Sequence, residues 1–170
     1  DKKYESIEQL RYGKIMIMTD QDDDGTHIKG LIMNFLSKWP SLVRIEGFVT
    51  SLLTPILKVW KGNKKQNSIS FYNMTDYDKW FSENGGLKGY NIKYYKGLGT
   101  STPQEGKEYF KNFNVKHYKW DKNADDNLDK AFNKDRTDDR KNWLKFYNKN
   151  MFIDSLQKVV KITDFINNEL

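Results

Sequence analysis

Between Gly13 and Trp39 the chain changes its spacing rule twice, and this limits what it can fold into. Residues 13 to 19, GKIMIMT, form an apolar run without alternation, the pattern of a strand covered on both faces. From Thr26 to Trp39 the apolar positions are Ile28, Leu31, Ile32, Phe35, Leu36 and Trp39. Those are the i, i+3, i+4, i+7 intervals of an amphipathic helix, which Pro40 is expected to stop. Between strand and helix lies MTDQDDDGTH, where Asp20, Asp22, Asp23 and Asp24 crowd into five positions. Neighbouring carboxylates repel by roughly 1 kcal/mol per pair at about 4 Å even in water. A cation is therefore expected at this turn, which lies at the carboxyl end of the strand, where open α/β sheets bind ligands.

Further strands are predicted at 48–53, 56–60 and 69–73, and a short helix around 75–83 is ended by Gly85-Gly86. NIKYYKGLGTSTPQE repeats the strand-loop-helix order, with a strand over 91–95, a glycine loop and a helix start. There Thr102 is read as the cap, Pro103 as the first helical residue and Glu105 as the partner in a capping box. Two such units predict an α/β fold, a compact parallel or mixed sheet with helices on both faces. After about residue 114 the chain becomes dense in charge, with helical spacing at Leu128, Ala131 and Phe132 and again at Trp143, Leu144 and Tyr147. This predicts a domain over 1–113 followed by a charged helical extension over 114–170. Trp39, Phe48, Trp80 and Phe110 are expected in the core.

The chain has 170 residues, enough for one ordinary domain with an appendage. It has no cysteine, which excludes disulfides, zinc-thiolate sites and cysteine nucleophiles, and its two histidines, His27 and His117, cannot make a histidine-rich metal site. A metal must then sit on oxygen, which points to magnesium, calcium or manganese. No apolar stretch reaches the roughly 18 residues of a membrane span, and no signal peptide opens the chain. Against 23 acidic residues stand 29 Lys and Arg, and the net charge of +6 suits a polyanionic partner. The opening DKKYES has no initiator methionine and TDFINNEL reads as an unfinished helix, so a piece of a longer polypeptide is expected.

Three ligand chemistries compete for Asp20-Gln21-Asp22-Asp23-Asp24-Gly25. The first is an EF-hand loop, which matches D-x-D-x-D-G but needs a glutamate at its twelfth position, where this chain has Leu31, and a helix where it has a strand. A phosphatase of the haloacid dehalogenase type matches through Asp22-Asp23-Asp24-Gly25-Thr26, but in that family the nucleophilic aspartate directly follows the strand. The third is a set of carboxylates at i, i+2, i+4 that hold Mg²⁺ against a phosphodiester, since magnesium takes one or two carboxylates and fills its shell with water and phosphate oxygens. The plain alternative is an acidic surface turn with capping aspartates.

LRYGKIMIMTDQDDDGTHIKGLIMNFL strongly resembles the Toprim domain of eukaryotic and viral type II DNA topoisomerases, and YYKGLGTSTPQEGKEYF resembles a second signature of those enzymes. GFVTSLLTPILKVWKG, FYNMTDYDKW and DDRKNWL match in order and spacing, so the likeness covers nearly the whole chain. It implies a Toprim-type fold within an ATP-dependent enzyme that cuts both strands of one duplex, passes another through and reseals the break. It implies Mg²⁺ as cofactor, with Mn²⁺ or Ca²⁺ as substitutes, and ATP used by a domain outside this chain. Carried over by position, Asp20 would meet the metal at the attacked phosphate, Asp22 would join it in holding a second ion, and Asp24 would complete the triplet. Mg²⁺ would neutralise charge developing on the phosphate.

The likeness further implies double-stranded DNA and the other topoisomerase domains as partners, a homodimeric parent, no membrane, and a nuclear or, for a virus, host-nuclear or factory location. The family's first metal ligand, a glutamate of an E-G-D motif, and its nucleophilic tyrosine in a winged-helix domain both fall outside the matched stretch. The isolated chain is therefore expected to be inactive, to hold metal weakly, and to contain no nucleophile among its tyrosines. A DNA- or partner-binding remnant without catalysis is the competing expectation. Lys96, Gly97 and Gly99 resemble the loop beside the metal and the cut DNA, and the helix start near Thr102 would offer its dipole to a phosphate. His27 and Lys29 are expected to meet the DNA backbone, with a cap or aspartate partner as the plain alternative for His27. Lys93 and Lys107 are further candidate phosphate contacts, and Asp125, Asp126, Asp138 and Asp139 are read as solvated faces or caps.

Overall fold

The apolar run and the helical spacing become β1 (Ile15–Ile17) and α1 (Asp23–Leu36) in the computed structural model, which describes residues 3–63, 67–111, 113–148, 153–154 and 157–170. The chain then makes α2 (Pro40–Val43), β2 (Val49–Leu52), β3 (Leu57–Lys61), β4 (Ile69–Phe71), α3 (Met74–Glu83) and β5 (Tyr90–Tyr94). It continues with α4 (Pro103–Lys111), β6 (Val115–Lys119), α5 (Ala124–Phe132), α6 (Thr137–Lys145), β7 (Val159–Lys161) and α7 (Ile162–Asn168). Pro40 opens α2 rather than ending α1, which has already closed at Leu36.

Two units emerge, and each has its own core. The first takes in the described residues up to Met18, Asp23–Leu52 and Val115 onward. Its sheet runs β1-β2-β6-β7 and is mixed: β1 pairs parallel to β2, β2 antiparallel to β6, and β6 parallel to β7. All four residues of β2 are buried, as its non-alternating sequence requires of a strand covered on both faces. Met33 of α1, Leu128 of α5 and Ile162, Phe165 and Ile166 of α7 pack with Val49, Tyr118 and Val160 of the sheet.

The segment expected as a helical extension thus supplies two of this unit's four strands. Its strand β6, VKHYK, was hidden by its polarity: of its buried residues, Tyr118 is aromatic and Lys116 carries a charge that finds an internal partner.

The second unit takes in Thr19–Asp22 and Leu53–Asn114. Its sheet, in the order β4-β3-β5, is wholly antiparallel. Here LKVWK alternates, and the inward residues Leu57 and Val59 pack with Phe71 and Tyr77 while Lys61 faces water. The second strand-loop-helix stretch therefore does not extend the first unit's sheet: β5 pairs with β3 in register from Leu57↔Tyr94 to Lys61↔Tyr90. Asn73 caps α3 through Asp76 N–H at 2.7 Å, and Gly85 and Gly86 beyond its end take φ of +67° and +100°.

Two expectations about burial are corrected. α1 buries Gly25, Lys29, Gly30, Met33 and Leu36 and leaves Ile28, Leu31 and Phe35 roughly half exposed. The small side of the helix faces inward because Gly30 lets α5 come close: a Cβ there would lie 2.8 Å from the Phe132 ring. Phe110 is exposed, edge-on to Phe113, whereas Phe48 is buried and Trp39 and Trp80 are half-buried.

Candidate functional site

Asp20 and Asp22 follow β1 on the short stretch Thr19–Asp22, which belongs to the second unit together with the Lys96–Gly99 loop. Asp20 is half-buried and Asp22 exposed. Within that unit Gly97 adopts φ +77°, and its backbone lies against the Asp20 carboxylate so closely that a Cβ would fall 2.4 Å from Oδ2 and 2.8 Å from Oδ1. Both constraints require glycine. Gly99 is different, since its φ is not positive and a Cβ there would meet nothing within 4 Å. Of the two glycines, only Gly97 makes a close backbone approach, and it makes it to the Asp20 carboxylate.

The loop is held at its ends. Thr100 donates its hydroxyl to the Gly97 carbonyl at 2.8 Å. The capping box at α4 forms as read from the sequence, with Thr102 N–H donating to Glu105 Oε2 at 2.8 Å and Glu105 N–H donating to Thr102 Oγ1 at 3.2 Å. The same carboxylate accepts from Lys93 Nζ at 2.9 Å and from Tyr95 OH at 2.5 Å. Burial would push Glu105 up, but the Thr102, Tyr95 and Lys93 donors overcome it and hold the carboxyl at about 2. Tyr95 is pushed up, first by burial and then by that carboxylate.

Two expectations change here. Lys93 is committed to Glu105 rather than open to a phosphate, and the start of α4 is capped by its own side chains. Lys96 and Lys107 are exposed. The grip of Glu105 on Lys93 and Tyr95 escaped the sequence reading; its signal was the i, i+2 spacing that puts those two on one face of the strand end.

In the first unit Asp23 and Asp24 occupy the first turn of α1, where carboxylates suit the positive end of the helix. His27 is exposed and stacks on Phe132, with ring centroids 6.1 Å apart and planes 10° from parallel. Lys29 is 3% exposed, so its expected contact with a DNA backbone is corrected: it is a core residue of this unit. Burial lowers its pKa, opposed by Glu169 and assisted by Lys116. Lys116 and Glu169 form an ion pair at 2.9 Å. Asp125 pairs with Arg44, Asp126 and Asp139 with Arg136, and Asp138 with Lys141, in keeping with surface roles.

Among the described residues no three His, Asp or Glu side chains come together as a metal cluster. An ion at this turn would have to be held by fewer than three such side chains, which magnesium tolerates because it keeps several waters and recruits phosphate oxygens. At this turn the Gly97 backbone lies against Asp20, and among the described residues the buried Thr19 hydroxyl oxygen has no hydrogen-bond partner.

The family described as the C-terminal associated domain of TOPRIM matches residues 52–170. A protein named probable DNA topoisomerase 2 from Dictyostelium discoideum is 50% identical over 99% of this chain, which spans 11% of its length. DNA topoisomerase 2 of Saccharomyces cerevisiae is 50% identical over 99% of the chain, which spans 12% of its length. The crystal structure titled as the DNA-binding, cleavage and re-ligation domain of Plasmodium falciparum topoisomerase II superposes over all of this chain with TM-score 0.89 and 46% identity, and 23% of that structure is matched. With its mixed sheet flanked by helices, and with more than half its length matched, this chain belongs to the family of the C-terminal domain associated with Toprim, with eukaryotic DNA topoisomerases 2 among its relatives.

Proposed function

We propose that this chain serves as the Toprim portion of an ATP-dependent type II DNA topoisomerase and presents Asp20 and Asp22 to Mg²⁺ at a DNA phosphodiester. The observation that carries the reading is the Gly97 backbone set against the Asp20 carboxylate. Bound Mg²⁺ would neutralise charge on the phosphate and the leaving oxygen. Asp20 and Asp22 hold the ion, and Lys96 offers an exposed cation to the DNA backbone. His27 is exposed and available to the same polyanion. The tyrosine that attacks DNA and the ATPase belong to other parts of a homodimeric parent. Among the described residues no helix is long and apolar enough to cross a membrane. A nuclear site of action completes this reading.

The test is double-strand cleavage of supercoiled plasmid by the complete topoisomerase polypeptide, titrated with Mg²⁺, for Asp20→Asn, Asp22→Asn and the control Asp23→Asn. Loss of cleavage in the first two, with the control near wild type, supports the reading. Unchanged Mg²⁺ dependence in Asp20→Asn and Asp22→Asn overturns it and favours a binding role without catalysis.

A further inference from the structure

We infer that Glu105 is a positioning residue for the metal site, clamping both ends of the Lys96–Ser101 loop so that Gly97 is held against Asp20. This rests on the proposed metal reading and extends it to a residue that does not itself meet metal or DNA.

A single carboxylate can accept several hydrogen bonds at once. Ionised, Glu105 offers about four lone-pair directions, and its donors include Lys93 Nζ and Thr102 N–H on Oε2 and Tyr95 OH on Oε1. Lys93 and Tyr95 stand at the end of β5, Thr102 at the start of α4, and the six residues 96–101 run between them. One side chain therefore fixes the entry and the exit of the loop. With both ends fixed, the loop has little freedom to move Gly97 away from Asp20. A second tie reinforces the exit, where Ser101 Oγ and Tyr109 OH lie 3.2 Å apart. Glu105 is 7% exposed, so water does not readily replace a lost partner.

Chemistry selects a carboxylate here. A glutamine of the same shape can keep Lys93 and Thr102 on its oxygen and donate its NH₂ to the Tyr95 hydroxyl, but it loses the negative charge that strengthens each bond and pairs with the Lys93 ammonium. An aspartate would keep the charge but fall one methylene short. Partners that orient metal ligands commonly cost about 10- to 100-fold in metal affinity when removed.

The experiment uses the complete topoisomerase polypeptide with Glu105→Gln and the milder Tyr95→Phe, which keeps the carboxylate and its Lys93 and Thr102 donors. Cleavage is titrated with Mg²⁺, Mn²⁺ binding is followed by electron paramagnetic resonance, and thermal unfolding is recorded alongside. The expected result is a rise of about 10-fold or more in the Mg²⁺ needed for half-maximal cleavage by Glu105→Gln, and a smaller rise for Tyr95→Phe, with maximal cleavage largely recovered at saturating metal. A purely structural role would lower melting temperature and maximal cleavage together and leave the metal requirement unchanged; that outcome, or wild-type behaviour of both variants, overturns the inference. Asp20→Asn in the same titration separates the two claims. If it abolishes Mn²⁺ binding while Glu105→Gln leaves the metal requirement unmoved, only the positioning role falls. If Asp20→Asn too leaves Mn²⁺ binding intact, the metal reading falls and the positioning role with it.

Discussion

A methyl group at Gly97 would lie 2.8 Å from Cγ of Asp20, closer than any unstrained contact allows, so the glycine and the carboxylate fit only as they are. Gly97→Ala must either push Asp20 aside or move the loop, and its φ of +77° adds strain of about 1 kcal/mol or more. A displacement of about 1 Å near reacting groups commonly costs about 100-fold in rate. Gly97→Ala is therefore expected to lose cleavage on that scale, while Gly99→Ala stays near wild type. Plasmid cleavage by the complete polypeptide carrying either change checks the pair.

Acid should loosen the second unit through Glu105. Its carboxyl is held at about 2 in the fold against an ordinary 4.5, so the folded state binds fewer protons than the unfolded chain. The stabilisation is complete above 4.5 and drains away as pH falls toward about 2, and it amounts to about 1–2 kcal/mol once solvent screening is allowed for. Amide protection factors along β5 and α4, taken against the intrinsic exchange rate at each pH, should fall over that window. In Glu105→Gln the same amides should exchange faster at pH 7 and respond less to acid.

Charge inside the first unit is unequal, with Lys29 and Lys116 facing the single carboxylate of Glu169. Removing the anion leaves two ammonium groups uncompensated, so Glu169→Gln is expected to cost about 3 kcal/mol. Lys29→Met removes the surplus cation and should be neutral or stabilising by up to about 1 kcal/mol. Because burial lowers the Lys29 pKa, the folded state sheds its proton first, and stability should climb as pH approaches 10.5. Urea unfolding at pH 7 and 10 measures both effects, and the alkaline rise should vanish in Lys29→Met.

Gly30→Ala sets two effects against each other. Alanine favours a helix interior over glycine by about 1 kcal/mol, but its methyl would sit 2.8 Å from Cζ of Phe132 and 3.1 Å from Leu170. Overpacking of this kind costs about 1–3 kcal/mol, so net destabilisation is expected. Trimming the ring in Gly30→Ala/Phe132→Leu should recover part of the loss, which a double-mutant cycle in thermal melts would show.

The span of α1 was legible because its apolar residues repeat at helical intervals, yet its buried face was not. Ile28, Leu31 and Phe35 advertise a core face, whereas the contact was decided by the absence of a side chain at Gly30, opposite Phe132. β6 failed for a related reason: Lys116 looks like solvent-facing charge until Glu169, 53 residues on, is folded against it. The acidic turn could be read because four carboxylates crowd five positions beside an apolar run, a local signal that needs no partner. Glu105 was half legible. Its reciprocal bonds with Thr102 are fixed by spacing along one helix, but its hold on Lys93 and Tyr95 depends on how a strand end meets a helix start.

The outer stripe of α1 has a practical consequence. Ile28, Leu31 and Phe35 are 47%, 46% and 55% exposed and repeat along one side of the helix. Such an oily ridge makes purified molecules sticky when no neighbour shields it, and the net charge of +6 opposes clumping only while ionic strength is low. Bench preparations of this segment should consequently stay clear in dilute buffer and turn cloudy as salt is added, and replacing Phe35 with glutamate should keep them clear.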